Sequence, residues 1–461
     1  MPRMRRRDVL SEHPARFVVA VFVLAILAGT LLLLLPFSSA DGGSTTVIEA
    51  AFTATSAVCV TGLVVVDTGT HWSGFGQGVI LALIELGGIG FMTIASLILL
   101  AVSRRLGLRQ TMVTKTERGA LALGDVRKVL VRLAVITVSV QTVVALWLAI
   151  RLVGSYGESF SSALWSGAFH SISAFNNAGF SLYSDSLTIV CSDPGVMLAI
   201  MGAIIVGGLG FPVLADLDSR FLRRGNTQRR SIGQRWDGLT LHSKVTLTTT
   251  AALLVLGAVV LGALEWANPA TMGHMDTGEK VLNSTFASVT PRTAGFNTVP
   301  VGDMEPASLL VTTVLMFIGA GSAGTSGGIK VGTFAILAMV IWSELRGERE
   351  PTGFRRTIPT STQRQAVTVA LLAVALVVGG ATALLMSSDT ELGEALFETV
   401  SAFGTVGLST GVTPSLHAWD DLVLMALMLI GRVGPITLGA ALVLRRRPTV
   451  SRVPEEAPLI G

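Results

Sequence analysis

Conventional side-chain chemistry is scarce in this chain. Its six histidines are scattered, no H-E-x-x-H occurs, and the two cysteines, Cys59 and Cys191, match neither a metal spacing nor a disulfide framework. What recurs is a backbone pattern. Four stretches, "FTATSAVCVTGLVV", "FHSISAFNNAGFSL", "FASVTPRTAGFNTV" and "FETVSAFGTVGLST", carry Gly62, Gly179, Gly295 and Gly407. A Phe stands ten residues before the glycine in three of them (Phe52, Phe169, Phe397) and nine before it in the third (Phe286). Ser56, Ser173 and Ser401 stand six before; the third stretch has Val289 there. Glycine tolerates φ > 0 and lets backbone approach without a Cβ in the way. The pairs Thr61–Gly62, Ala178–Gly179, Ala294–Gly295 and Val406–Gly407 could therefore turn carbonyl oxygens toward one axis. Two carbonyl layers from four strands make about eight oxygens, the hard ligand set that replaces the hydration shell of a monovalent cation. Nearby hydroxyls (Thr61, Thr293, Thr405) are suited to local backbone bonds, and Asn176 and Asn177 to holding the second strand from behind.

The elements that must position these strands are membrane elements. Half of the 461 residues are hydrophobic and only 14% are charged, with a mean hydropathy of +0.66, against about 25% charged in soluble domains. The basic start followed by an apolar run reads as a first spanning helix, not a cleaved signal. Eight long apolar segments are expected near 16–37, 75–103, 130–153, 195–222, 244–266, 307–344, 365–387 and 420–444. Each pair brackets a shorter mixed segment (46–59, 160–175, 279–289, 391–403), too short and polar to span and therefore read as a re-entrant half-helix. The glycines are 117, 116 and 112 residues apart, so one module is repeated four times: residues 1–110, 111–230, 231–350 and 351–461. The fold class expected is an all-α membrane protein of four helix–pore-loop–helix repeats, arranged pseudo-fourfold around one central pore. Irregular backbone at membrane depth is tolerated where it is buried in protein or lines water.

Orientation follows from Lys and Arg. Of the 34, 29 fall in five stretches (3–16, 104–132, 220–244, 346–364, 445–452). With eight crossings these share one face, which places both termini in the cytoplasm and the half-helices on the outside. The clusters read as membrane anchors, not as nucleic-acid contacts. No ATPase motif or redox site is present, so movement should follow electrochemical gradients, and no enzyme activity is expected.

The sixth apolar segment is interrupted by "GAGSAGTSGGIK". Gly319, Gly321, Gly324, Gly327 and Gly328, with Ser322, Thr325 and Ser326 between them, disfavour continuous helix, at roughly 1 kcal/mol per glycine relative to alanine. A loop inside the membrane, facing the cavity below the strands, is expected. Close helix packing through small residues and a phosphate loop are the rival readings, and for the second the Gly-Lys-Ser/Thr spacing is missing. Lys330 and Arg432 are the basic residues left within spans, and such charges are functional candidates by default. Glu85, in "IELGGIG", is a further charge whose partner the sequence does not name.

Taken together, "FTATSAVCVTGL", "LGGIGFMT", "SAFNNAGFSL", "TPRTAGFNTV" and "SAFGTVGLST" resemble the Trk/Ktr/HKT superfamily of cation transporters over nearly the whole length, and most closely its KtrB-type bacterial subunits. The chain starts directly with the first repeat, whereas TrkH-type relatives usually carry extra N-terminal helices. The resemblance implies potassium as the transported ion, with sodium as an alternative or assisting ion, and a selectivity filter at the four Gly positions. Gly62, where sodium-transporting plant members have Ser, favours potassium. It also implies an intramembrane gating loop at 319–330, with Arg432 near the pore below the filter. No resident cofactor is implied. The partners implied are a second copy of the chain, membrane lipid, and a cytoplasmic nucleotide-binding ring of KtrA/TrkA type; nucleic acid is not among them. A coupled transporter of another solute is the rival function, and would need ionisable residues clustered at mid-membrane.

Overall fold

The computed structural model describes residues 14–43, 45–88, 90, 123–219, 232–348 and 350–434. The terminal segments, residues 91–122 and residues 220–231 lie outside the described residues, and with them parts of the basic stretches at 104–132 and 220–244 and of the apolar segments expected at 75–103 and 420–444.

The first unit is a membrane-length helix α1 (Pro14–Leu33), a half-helix α2 (Val47–Cys59) and an inner helix α3 (Gly74–Gly88). The second has α4 (Leu123–Tyr156), half-helix α5 (Phe160–Asn176), then α6 (Pro194–Leu209) and α7 (Phe211–Leu217). A short α8 (Ile232–Asp237) leads to the third: α9 (Leu241–Glu265), half-helix α10 (Thr277–Val289), α11 (Pro306–Phe317) and α12 (Val331–Leu345). A two-stranded hairpin, β1 (Thr352–Gly353) and β2 (Arg356–Thr357), precedes the fourth: α13 (Thr360–Ser387), half-helix α14 (Leu392–Gly404) and α15 (Ala418–Val433). Phe354 and Arg355 at the hairpin tip both have positive φ (48° and 62°), as a two-residue primed turn requires.

Each half-helix begins with a polar cap. Thr46 with Glu49, Asp276 with Glu279, and Glu391 with Glu394 form capping boxes, and Ser159 caps α5. The caps satisfy amide donors that a helix start otherwise leaves open. Apolar side chains on the outer helices face outward: Leu24, Leu27 and Leu31 on α1, Val135 and Ile150 on α4, Val255 and Val259 on α9, Leu371 and Val378 on α13. The core lies inside this shell, around the half-helices, where Phe52, Phe169, Phe286 and Phe397 are fully buried.

One expected element comes out differently. The fourth apolar segment, read as a single crossing over 195–222, bends by 100° between α6 and α7. Gly210 takes φ 86° and ψ 149°, and Pro212 sits in the first turn of α7, so no helical hydrogen bond bridges the break. The sixth segment is interrupted as expected, with loop backbone from Ile318 to Lys330.

Candidate functional site: four strands and a loop beneath them

The four half-helices end at the centre of the molecule. In units one, two and four the end is a Schellman-type cap with a left-handed residue, Val60, Asn177 or Thr405, two positions before the glycine. The next amide turns back onto the helix: Thr61 N to Ser56 O (2.8 Å), Ala178 N to Ser173 O (2.7 Å), Val406 N to Ser401 O (2.8 Å). The third unit reaches the same geometry one residue sooner. Thr293, again two before the glycine, has φ 70°, and Ala294 N bonds to Thr290 O (2.9 Å). Gly62, Gly179, Gly295 and Gly407 follow at φ 92°, 72°, 76° and 92°. A β-branched residue in the left-handed region costs of order 1–2 kcal/mol, and Val60, Thr293 and Thr405 all carry that cost at this level.

The glycines form a closed ring. A Cβ on Gly179 would lie 2.9 Å from the Ala294 carbonyl oxygen. A Cβ on Gly62 would press still closer on the carbonyl of Ala178, one on Gly295 on that of Val406, and one on Gly407 on that of Thr61. The order is cyclic, each unit meeting the next and the fourth meeting the first. Every residue expected in the ring from sequence is brought together here.

Below the ring sits the interrupted segment. Its neck is closed by Gly319 N donating to Ile329 O (2.7 Å) and Val331 N to Ala320 O (3.1 Å). One flank docks on the break in the second unit: Gly321 N donates to Gly208 O (2.8 Å) and Phe211 N to Ala323 O (3.2 Å), while Ser322 and Gly324 lie against Gly210. The tip packs upward: a Cβ on Gly328 would lie 3.2 Å from the Gly404 Cα, and one on Gly327 would press on the Thr405 side chain. Arg432, almost fully buried, donates from Nη1 to Thr325 O and from Nη2 to Gly87 O (2.8 Å). Lys330 Nζ donates to Ser326 O and to Gly327 O (3.2 Å). Cations thus bond to carbonyls of a loop that would otherwise leave acceptors open in a dry interior.

A model of the TrkH family, described as cation transport protein, matches residues 4–447. The chain belongs to that family. It is 41% identical to the Ktr system potassium uptake protein B of Bacillus subtilis, over 92% of each chain. It is 37% identical to the protein of the same name from Vibrio alginolyticus, covering 99% of this chain and 97% of that one. It is 35% identical to the potassium/sodium uptake protein NtpJ of Enterococcus hirae, over the full length of both. The crystal structure of the potassium transporter TrkH from Vibrio parahaemolyticus superposes with a TM-score of 0.76 at 18% identity, covering 96% of this chain and 87% of that one. The four-repeat pore-loop architecture read from the sequence is the fold of this TrkH-family chain.

Several site residues of this TrkH-family chain escaped sequence reasoning. The hydroxyls of Thr61, Thr293 and Thr405, expected to bond to backbone, have no hydrogen-bond partner among the described residues. Serine does that work instead: Gly62 N donates to Ser56 Oγ (3.0 Å), Gly407 N to Ser401 Oγ (3.1 Å), and Ser173 Oγ to Phe180 O (2.8 Å). In the third unit Thr290 Oγ1 donates to Phe296 O. The missing serine at Val289 is therefore replaced one residue later, in step with the shifted Phe286. Nine residues before their glycines, two further polar groups hold the outward strands. Glu398, fully buried, accepts from Ser409 Oγ (2.7 Å), Thr410 N (2.9 Å) and Thr413 Oγ1 (2.7 Å). His170 lies 3.0 Å from Ser181 Oγ and stacks on Tyr183. Burial pushes the Tyr183 phenol up to about 12, so it stays a neutral donor to Glu158 (3.1 Å). Glu85 finds its partners in Asn176 Nδ2 (2.6 Å) and Gln141 Nε2 (3.0 Å). Asn176 thus braces the inner helix α3, whereas Asn177 bonds to the third strand at Arg292 O (3.2 Å). Lastly, Lys330 and Arg432 are not the only basic groups at this depth: Arg292, in "TPRTAGF", is buried as well.

Proposed function

We propose that this chain carries potassium into the cell across the cytoplasmic membrane, through the ring as a selectivity filter and past the 318–330 loop as a gate. The closed cyclic contact of four glycines with four carbonyls carries this reading. Strands that close cannot admit a Cβ, and their oxygens are the groups available to replace the water of a dehydrated ion. The half-helices direct their C-terminal ends, each worth about −0.5 charge, toward the same centre, which favours a cation there. Each of the four sequence units supplies a quarter of the ring.

The named relatives support potassium as the ion, and the potassium/sodium uptake protein keeps sodium as a second ion, carried or assisting. The Ktr-system relatives support a regulatory partner of KtrA type. We infer that a nucleotide-binding ring docks on the basic inner face, that the chain works as a homodimer with one pore per protomer, and that both termini are cytoplasmic.

The test is growth of a potassium-uptake-deficient bacterium at low potassium with this chain as the sole uptake route, followed by uptake with sodium as competitor. The chain should restore growth. Gly62→Ser should lower the preference for potassium over sodium. Restored growth with an unchanged preference in Gly62→Ser would reject the filter role.

A further inference from the structure

Arg292 lies three residues before Gly295 and is only 4% exposed, yet the gate and filter described so far give it no task. Its Nη1 donates to the Ile318 carbonyl at 3.0 Å, where α11 gives way to the loop. Its Nε and Nη2 have no hydrogen-bond partner among the described residues, and the side chain adjoins a small cavity lined also by Ile204, Leu254, Ala320 and Val331. A cation buried this deep is costly, so one bond to a loop root is a notable use for it. The same residue is held from the neighbouring strand: its carbonyl accepts from Asn177 Nδ2 (3.2 Å), and Asn177 Oδ1 accepts from Thr325 Oγ1 (3.0 Å). Asn177 is the left-handed residue two before Gly179.

Arg292 therefore fastens the loop's root to the third strand, and Asn177 fastens its middle to the second and third. Resting on the filter-and-gate reading, we propose that Arg292 and Asn177 are positioning residues that clamp the loop to these two strands, so that the loop's position sets the ring's ion preference as well as the rate of passage. The clamp is one-sided. Hydrogen bonds tie the loop's side chain and root to strands two and three, whereas toward strand four the loop offers the close packing of Gly327 and Gly328.

The experiment measures potassium uptake with sodium as competitor in the potassium-uptake-deficient strain, for the full chain and for Thr325→Val, Asn177→Ala, the two combined, Arg292→Gln and Arg292→Lys. Thr325→Val removes a hydroxyl from the loop and leaves every strand residue intact. It should nevertheless change the ratio of apparent affinities for potassium and sodium by roughly three- to tenfold, the equivalent of one net hydrogen bond. Asn177→Ala should give a change of the same size, and the double variant one no larger. Arg292→Lys, which can still donate to Ile318 O, should stay nearer the parent ratio than Arg292→Gln. If Arg292→Gln fails to reach the membrane, Thr325→Val alone decides the matter. Variants that alter only the maximal rate, while Gly62→Ser does shift the ratio, would refute the clamp and leave the filter standing. An unshifted ratio in Gly62→Ser would remove the filter, and the clamp with it.

Discussion

A hydroxyl beneath each glycine does most of the holding. Ser56 and Ser401 accept from the glycine amide, while Ser173 and Thr290 donate to the carbonyl after it. Leaving such a buried group unpaired costs about 1–3 kcal/mol, more than the net value of the bond. Thr290→Val should thus weaken potassium discrimination as much as Ser173→Ala does, read as uptake in the presence of sodium. Val289→Ala, at the position where the other units carry serine, should leave discrimination unchanged. Glu398 makes a stronger case, because one fully buried carboxylate gathers Ser409, Thr410 and Thr413 just outside the fourth glycine. Glu398→Gln replaces an acceptor oxygen with a donor that faces hydroxyls and an amide. It should cut uptake by about tenfold, since a buried polar group left without its partner costs about 1–3 kcal/mol, with protein level in the membrane as the control. The ring glycines were legible in the sequence because four copies in step are hard to produce by helix packing alone. Thr290 was not, because a one-residue contraction of α10's end moves the hydroxyl out of register with its counterparts. Arg292 was hidden by its setting in a strand outside the long apolar spans, where a charge does not stand out against a hydrophobic run.

At the scale of elements, the inner helices carry a shared device. Gly87, Gly207 and Gly431 each lie under a half-helix carbonyl, those of Val58, Phe175 and Phe403, with no room for a Cβ. Three residues further on stand Gly90, Gly210 and Gly434. The last two take φ 86° and 90° and end their helices there. The apolar pattern runs straight through Gly210, so hydropathy alone reads 195–222 as one span; Gly210 followed by Pro212 is the sequence signal for the bend. Gly210→Ala places a methyl against Ser322 O in a backbone conformation that costs a non-glycine residue about 1–3 kcal/mol. It should lower the thermal unfolding temperature in detergent, whereas Gly202→Ala, in the same helix pair and with open space around it, should hold or raise it. The loop's other support answers differently. Arg432 bonds to Thr325 O and Gly87 O, joining the loop to an inner helix. Arg432→Ala should accordingly change the rate of uptake more than the preference for potassium over sodium. An unchanged rate would show that the side chain does not control passage through its hold on the loop.

For the molecule as a whole, closure is the property that a linear reading could anticipate but not display. Repeats announce how many units there are; only packing shows that the last meets the first. Here the inner helix of one unit packs on the half-helix of the next, α6 on α10 and α11 on α14, and the fourth unit's α15 packs on α2 of the first. The 1–4 seam is pinned further by Arg432 on Gly87 O, across 345 residues of sequence. Two of the four ring contacts, Gly62 with Ala178 O and Gly295 with Val406 O, lie within a half of the chain, and the other two, Gly179 with Ala294 O and Gly407 with Thr61 O, lie between halves. A chain divided in the basic stretch between α7 and α8 therefore keeps one of its four ring contacts on each side of the cut and must recover the other two by association. Expressed alone, neither half should support growth of the uptake-deficient strain at low potassium. Expressed together, the halves should restore it, because both seams are packed from buried apolar surface that each half would otherwise leave open to lipid. Growth supported by a single half would mean that two copies of that half can complete a ring by themselves, and that the order of the four units is not required for transport.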